Sequence, residues 1–130
     1  MTFSEYFNTA NIESGFTYNL QYGYTPSSGY SISIFKNAEA SYNHIPTIGQ
    51  LADYVLNNYH LLYNTQEGQR LYPQKMFHDV CLGGWMDDET GVYYLDCSIV
   101  VPTLEKALQL ARENEQLAIF DLSKFQTIYV

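Results

Sequence analysis

The chain has 130 residues, 46% hydrophobic and 16% aromatic, which is enough apolar surface for one folded domain and too much for the disordered class. Carboxylates outnumber cations 14 to 6, a formal net charge of -8, and Lys36, Arg70, Lys75, Lys106, Arg112 and Lys124 are scattered singly. Neutralising a phosphate backbone needs clustered cations, so the composition argues against direct nucleic-acid binding and for a partner with a basic protein surface.

Residues 1–13 carry Phe3, Tyr6, Phe7 and Ile12 at mixed spacing, an N-terminal arm or short helix. Glu5 stands where a secretory signal needs a basic flank, and no apolar run reaches 18 residues, so a cytoplasmic protein without a membrane span is expected. From Gly15, Phe16, Tyr18, Leu20 and Tyr22 alternate with Thr17, Asn19, Gln21 and Gly23, a strand period. The chain turns at Pro26-Ser27-Ser28-Gly29 and returns through Tyr30, Ile32 and Ile34, so 15–35 reads as a first β-hairpin.

Thr47 and Gln50 have the spacing of a capping box and open a helix over 47–64. Its apolar stripe is Ile48, Leu51, Val55, Tyr59 and Leu62, and Asn64 to Gly68 closes it. Residues 69–75, with Pro73, read as a loop. A second hairpin over 77–101 reverses at Asp87-Asp88-Glu89-Thr90-Gly91, where side-chain oxygens and a glycine suit a turn. Reversal about Glu89 sets Cys81 opposite Cys97 and Trp85 opposite Tyr93. Pro102 starts a second helix over 102–115, with Leu104, Ala107, Leu108 and Ala111 on one face. Residues 117–122 read as a central strand and 127–130 as a last one, within a strand region over 117–130. The two halves echo one another, since each helix opens with Pro-Thr. The expected fold is one α+β domain: an antiparallel sheet from two β-hairpins plus C-terminal strands, packed against two helices.

Site chemistry is sparse. His78 with Cys81 and Cys97 supplies three of the four ligands a structural zinc needs, so no metal is expected and the two thiols read as reduced, half-buried side chains. Asp87, Asp88, Glu89 and Asp96 lack the alternating spacing of a calcium loop. His44 and His60 belong to no nucleophile motif, and Gly83-Gly84 does not lead from a strand into a helix N-terminus as a phosphate loop would. No cofactor and no catalytic residue are assigned, and a binding module is preferred to an enzyme.

The 13 tyrosines favour protein contact, because the ring packs while the hydroxyl stays wet, although strands favour aromatics in any case. The contact residues chosen on this basis are Trp85, Asp87, Asp88, Glu89 and Tyr93, an aromatic hairpin tip beside acids. The simpler reading, preferred on the sequence alone, is that Trp85 and Tyr93 form a cross-strand packing pair.

Gly15-Phe16-Thr17, Pro26-Ser27-Ser28-Gly29-Tyr30-Ser31-Ile32-Ser33, Gly84-Trp85-Met86-Asp87, Thr90-Gly91-Val92-Tyr93-Tyr94-Leu95-Asp96-Cys97-Ser98, Glu105-Lys106-Ala107-Leu108 and Gln116-Leu117-Ala118-Ile119-Phe120-Asp121-Leu122 together give a chain that resembles a family of small phage and mobile-element proteins of bacteria. The resemblance covers most of 15–122 and transfers no site residue. It implies a host-directed role in a bacterial cytoplasm, such as a non-enzymatic inhibitor of an anti-CRISPR or anti-restriction type acting on a nucleic-acid-binding nuclease complex. The competing expectations are a small-molecule or nucleotide-sequestering protein with a Tyr-lined pocket, and a structural accessory protein that forms homo-oligomers through an edge strand.

Overall fold

In the computed structural model of the chain, residues 5, 7, 12–72 and 79–130 are described, so most of the expected N-terminal arm, Pro73 and His78 lie outside the described residues. The fold is α+β. Among the described residues seven strands form one antiparallel sheet: β1 (Gly15–Tyr18), β2 (Tyr30–Ser33), β3 (Ala40–Tyr42), β4 (Val80–Asp87), β5 (Val92–Val101), β6 (Ala118–Asp121) and β7 (Gln126–Tyr129). The order is β1-β4-β5-β2-β6-β7, with β3 also paired to β5. Four helices are described: α1 (Ile48–Asn57), α2 (Tyr59–Leu62), α3 (Gln66–Leu71) and α4 (Leu104–Glu113).

The β4–β5 hairpin is the centre of the sheet, because its strands are the longest and only residues 88–91 separate them. This corrects the first hairpin expected over 15–35. β1 and β2 form as strands, but β1 pairs with β4 and β2 with β5, so the whole second hairpin lies between them. Alternating polarity specifies a strand and its buried face without naming its neighbour. The chain after β1 instead closes a small turn in which Asn19 bridges Tyr24 and its side-chain oxygen accepts from the Tyr22 amide at 2.9 Å. With no hairpin in the first half, the echo between halves extends only to the helix caps.

Ser33 pairs with Ser98 and Ala40 with Leu95, so residues 34–39 bulge opposite Asp96 and Cys97 alone. The Tyr54 hydroxyl pins this bulge, donating to the Ala38 carbonyl at 2.5 Å from its place on α1. β6 is flanked by β2 and β7, an interior strand as expected.

The capping box forms as its spacing requires: the Gln50 amide donates to Thr47 Oγ1 at 3.2 Å and the Thr47 amide to Gln50 Oε1 at 2.9 Å. The helix it opens is shorter than 47–64. Asn58 interrupts it, its side-chain amide donating to the Tyr54 carbonyl at 2.9 Å in competition with the ladder. The break re-phases the chain, so Leu51, Tyr54, Leu61 and Leu62 are buried while Ile48 and Tyr59, expected in the stripe, are about half exposed. The expected loop at 69–75 is helical up to Leu71, because Thr65 caps a new helix by accepting from the Gly68 amide at 3.2 Å. Pro102 precedes α4, whose cap is Thr103.

Leu51, Tyr54, Leu61, Leu62, Ala107 and Ala111 join Leu82, Leu95, Cys97 and Ile99 in one core, which places α1, α2 and α4 against the same face of the sheet. The opposite face carries Thr17, Ser31, Cys81, Asp96 and Ser98, all buried, and opens to solvent at Trp85 near the β4–β5 tip.

Candidate protein-docking face

The hairpin register decides which side chains reach the sheet face opposite the helices. Trp85 pairs with Tyr94, Leu82 with Cys97 and Cys81 with Ser98, one residue away from the pairing expected for reversal about Glu89. The tip uses a four-residue loop closed by the Gly91 amide on the Asp87 carbonyl at 2.8 Å, with Gly91 at φ +73. A one-residue slip exchanges faces. Tyr93 is therefore fully buried among core residues, its hydroxyl donating to the Ile12 carbonyl at 2.7 Å, and it is removed from the contact set. Tyr94 takes its place: its ring stacks on Trp85 with centroids 4.8 Å apart and planes 21° apart. Trp85 remains 45% exposed, so the stacked pair is a flat apolar platform open to solvent.

The acids at the tip divide by role. Asp87 Oδ1 accepts from the Glu89 amide at 3.0 Å and Thr90 Oγ1 from the Val92 amide at 3.3 Å, so Asp87 and Thr90 build the turn. Asp88 and Glu89 are exposed, and the ion pair found among the described residues, Lys36 with Glu115 at 2.8 Å, lies elsewhere. Residues 79–101 hold Asp79, Asp87, Asp88, Glu89 and Asp96 and no Lys or Arg. The described cations are on the 3-10 turn over Lys36–Ala38, on α3, on α4 and on the β6–β7 turn, none of them within residues 79–101.

Asp96 is the residue that sequence reasoning placed wrongly, grouped with the tip acids. It pairs with Gly83, four positions into β5 and thus roughly 13 Å from the turn at strand rise. It faces away from the helices, in the row Tyr94-Asp96-Ser98, and its Oδ1 accepts from the Ser98 hydroxyl at 2.6 Å. A side chain at Gly83 would collide with this carboxylate and come within 3.2 Å of Ser98 Oγ. At Gly84, on the core face, a side chain would strike the Phe16 ring and come within 2.8 Å of the Tyr93 hydroxyl. The consecutive glycines thus seat one group on each face of β4: the Asp96 carboxylate and the Phe16 ring. Burial pushes the Asp96 carboxyl up to about 6, against the opposing pull of the Ser98 hydrogen bond and with a smaller push from Glu39.

The two cysteines, expected as cross-strand neighbours, lie on opposite faces of β4–β5. Both are free and buried, and desolvation pushes each thiol up to about 12. Cys97 Sγ lies 3.5 Å from the Tyr54 hydroxyl, whose own pKa burial raises far above the ordinary range. Neither thiol is positioned to ligate beside the other, and among the described residues no group of three His, Cys, Asp or Glu could hold a metal ion. His44 is exposed, its Nδ1 2.9 Å from the Ile45 carbonyl oxygen. The recess at the β2–β5 end, lined by Ser28, Gly29, Tyr30, Val101, Pro102 and Ser123, is an open hollow containing one tyrosine. No helix among the described residues is long and apolar enough to cross a membrane.

Tyr94, Asp96, Ser98 and Gly83 were missed as members of this face. The available signal was the Gly83-Gly84 pair, since adjacent glycines inside a strand mark close approach on both faces. No family model, curated protein or solved structure matches the chain.

Proposed function

We propose that this protein is a non-enzymatic binding module that docks the tip of its β4–β5 hairpin, with the Trp85–Tyr94 stack on the sheet face opposite the helices, onto a basic protein surface. The observation that carries the reading is the solvent-open Trp85–Tyr94 stack next to a hairpin tip bearing Asp87 and the exposed Asp88 and Glu89, with no cation in residues 79–101. Aromatic platforms supply contact area at low conformational cost, and flanking charge selects the sign of the partner. A guanidinium suits the site on both counts, because it stacks on aromatic faces and pairs with carboxylates. The resemblance to phage and mobile-element proteins narrows the proposed partner to a nucleic-acid-binding host defence complex, whose cationic groove the hairpin would occupy in place of a phosphate backbone.

The test is capture from bacterial lysate by the immobilised chain at moderate salt. Retention of a basic nuclease component is expected, lost in Trp85→Ala and in the Asp88→Lys, Glu89→Lys double variant, and weakened by added salt. Capture that ignores both variants would reject this face, and no nuclease component across several lysates would reject the partner class.

A further inference from the structure

We infer that the outer edge of β7 is an interface at which a second copy of this chain pairs antiparallel, continuing the sheet across a two-fold axis. β7 is the last strand in the sheet order, and among the described residues nothing pairs with its outer edge. The Val130 amide donates to the Leu117 carbonyl at 2.9 Å, and alternation from that pair makes Ile128 with Ile119 and Gln126 with Asp121 the hydrogen-bonded pairs. The amides and carbonyls of Thr127 and Tyr129 therefore point outward.

Edge strands are usually guarded by a lysine, a proline or a bulge. Gln126-Thr127-Ile128-Tyr129 has no charge and no proline, and its register with β6 is unbroken. A separate observation marks the same hairpin: the three most exposed large apolar side chains among the described residues are Leu117 at 81%, Tyr129 at 80% and Phe125 at 77%.

Charge selects the occupant. Two copies at -8 each repel, so they meet where local charge is least. Residues 117–130 hold one acid and one base, Asp121 and Lys124, and the Asp121 carboxylate is buried, accepting from the Ser123 and Lys124 amides at 3.0 and 3.2 Å. A basic partner, suited to the β4–β5 tip, finds no exposed acidic side chain in residues 117–130. Centring the pairing on Ile128 sets Thr127 opposite Tyr129 of the second copy, twice by symmetry. That register forms four N–H···O bonds and lays each Tyr129 ring against a β-branched neighbour.

Sedimentation equilibrium on the full chain from micromolar to near-millimolar concentration tests this. The mass is expected to rise from 15.0 kDa toward twice that value, and the dimer to tighten with added salt as the like charges are screened. Thr127→Pro removes an outward donor from each copy and is expected to weaken the dimer about 30-fold. The Thr127→Lys, Tyr129→Lys double variant sets lysines opposite one another at exposed positions. It should stay at 15.0 kDa with an unchanged thermal melt. A wild-type chain at 15.0 kDa throughout, or a dimer indifferent to the lysine variant, would overturn the inference.

Discussion

Asp96 lies across Gly83 on the sheet face opposite the helices, its buried carboxylate filling the space where a side chain on β4 would stand. The neighbouring glycine does the same on the core face for the Phe16 ring, and the two contacts differ in how far each occupant can yield.

Gly84→Ala should therefore cost more than Gly83→Ala. A methyl at Gly83 displaces one carboxylate at the loss of its Ser98 hydrogen bond, about 1 kcal/mol, whereas at Gly84 it meets both the Phe16 ring and the hydroxyl of the fully buried Tyr93, where overpacking costs about 3 kcal/mol. Denaturant midpoints of the two variants check the order, and the reverse order would show that the Asp96 seat is the rigid one.

Stability should fall as pH rises through the range in which Asp96 titrates. Its folded pKa of about 6 lies above the ordinary 3.8, so the folded chain holds the proton more tightly than the unfolded chain. The contribution is complete below 3.8, is lost between about pH 4 and pH 6, and amounts to on the order of 3 kcal/mol. Asp96→Asn should remove that slope and be the more stable form at neutral pH. Equal wild-type-to-variant differences at acid and neutral pH would contradict this.

Trp85 and Tyr93 should separate contact from core. Trp85→Ala removes a stacked, half-exposed ring and should cost about 1 kcal/mol of stability while abolishing capture of a partner. Tyr93→Phe deletes the hydroxyl that donates to the Ile12 carbonyl and should cost about 1–2 kcal/mol with capture unchanged. Thermal melts run beside the capture assay read both, and loss of capture in Tyr93→Phe would return that residue to the contact set.

Neither thiol should react in the folded chain. Cys81 and Cys97 are buried, on opposite faces, with pKa values pushed up to about 12, so the thiolate is scarce and no intrachain disulfide is within reach. A thiol reagent at mildly alkaline pH should label both only after denaturant is added. Rapid labelling of one in the native chain would show that its face opens.

Local chemistry was legible wherever the responsible groups are close in the chain. The Thr47–Gln50 box forms from spacing alone, the β6–β7 strands fall where apolar and polar residues change, and the α+β class follows from two periodicities in one sequence. The acidic bias of residues 79–101 is likewise a property of the sequence itself. Tertiary structure decided what depends on a partner distant in the chain. Whether β1 joins β2 or β4 is decided by pairing across about 65 residues of chain, and alternation is blind to that. The hairpin register turned on a single residue in the loop, and with it went the exchange of Tyr93 for Tyr94, the separation of the two cysteines and the seat of Asp96 over Gly83. A period-two pattern fixes that two faces exist; only packing assigns which of them meets α1, α2 and α4 and which carries the exposed Trp85.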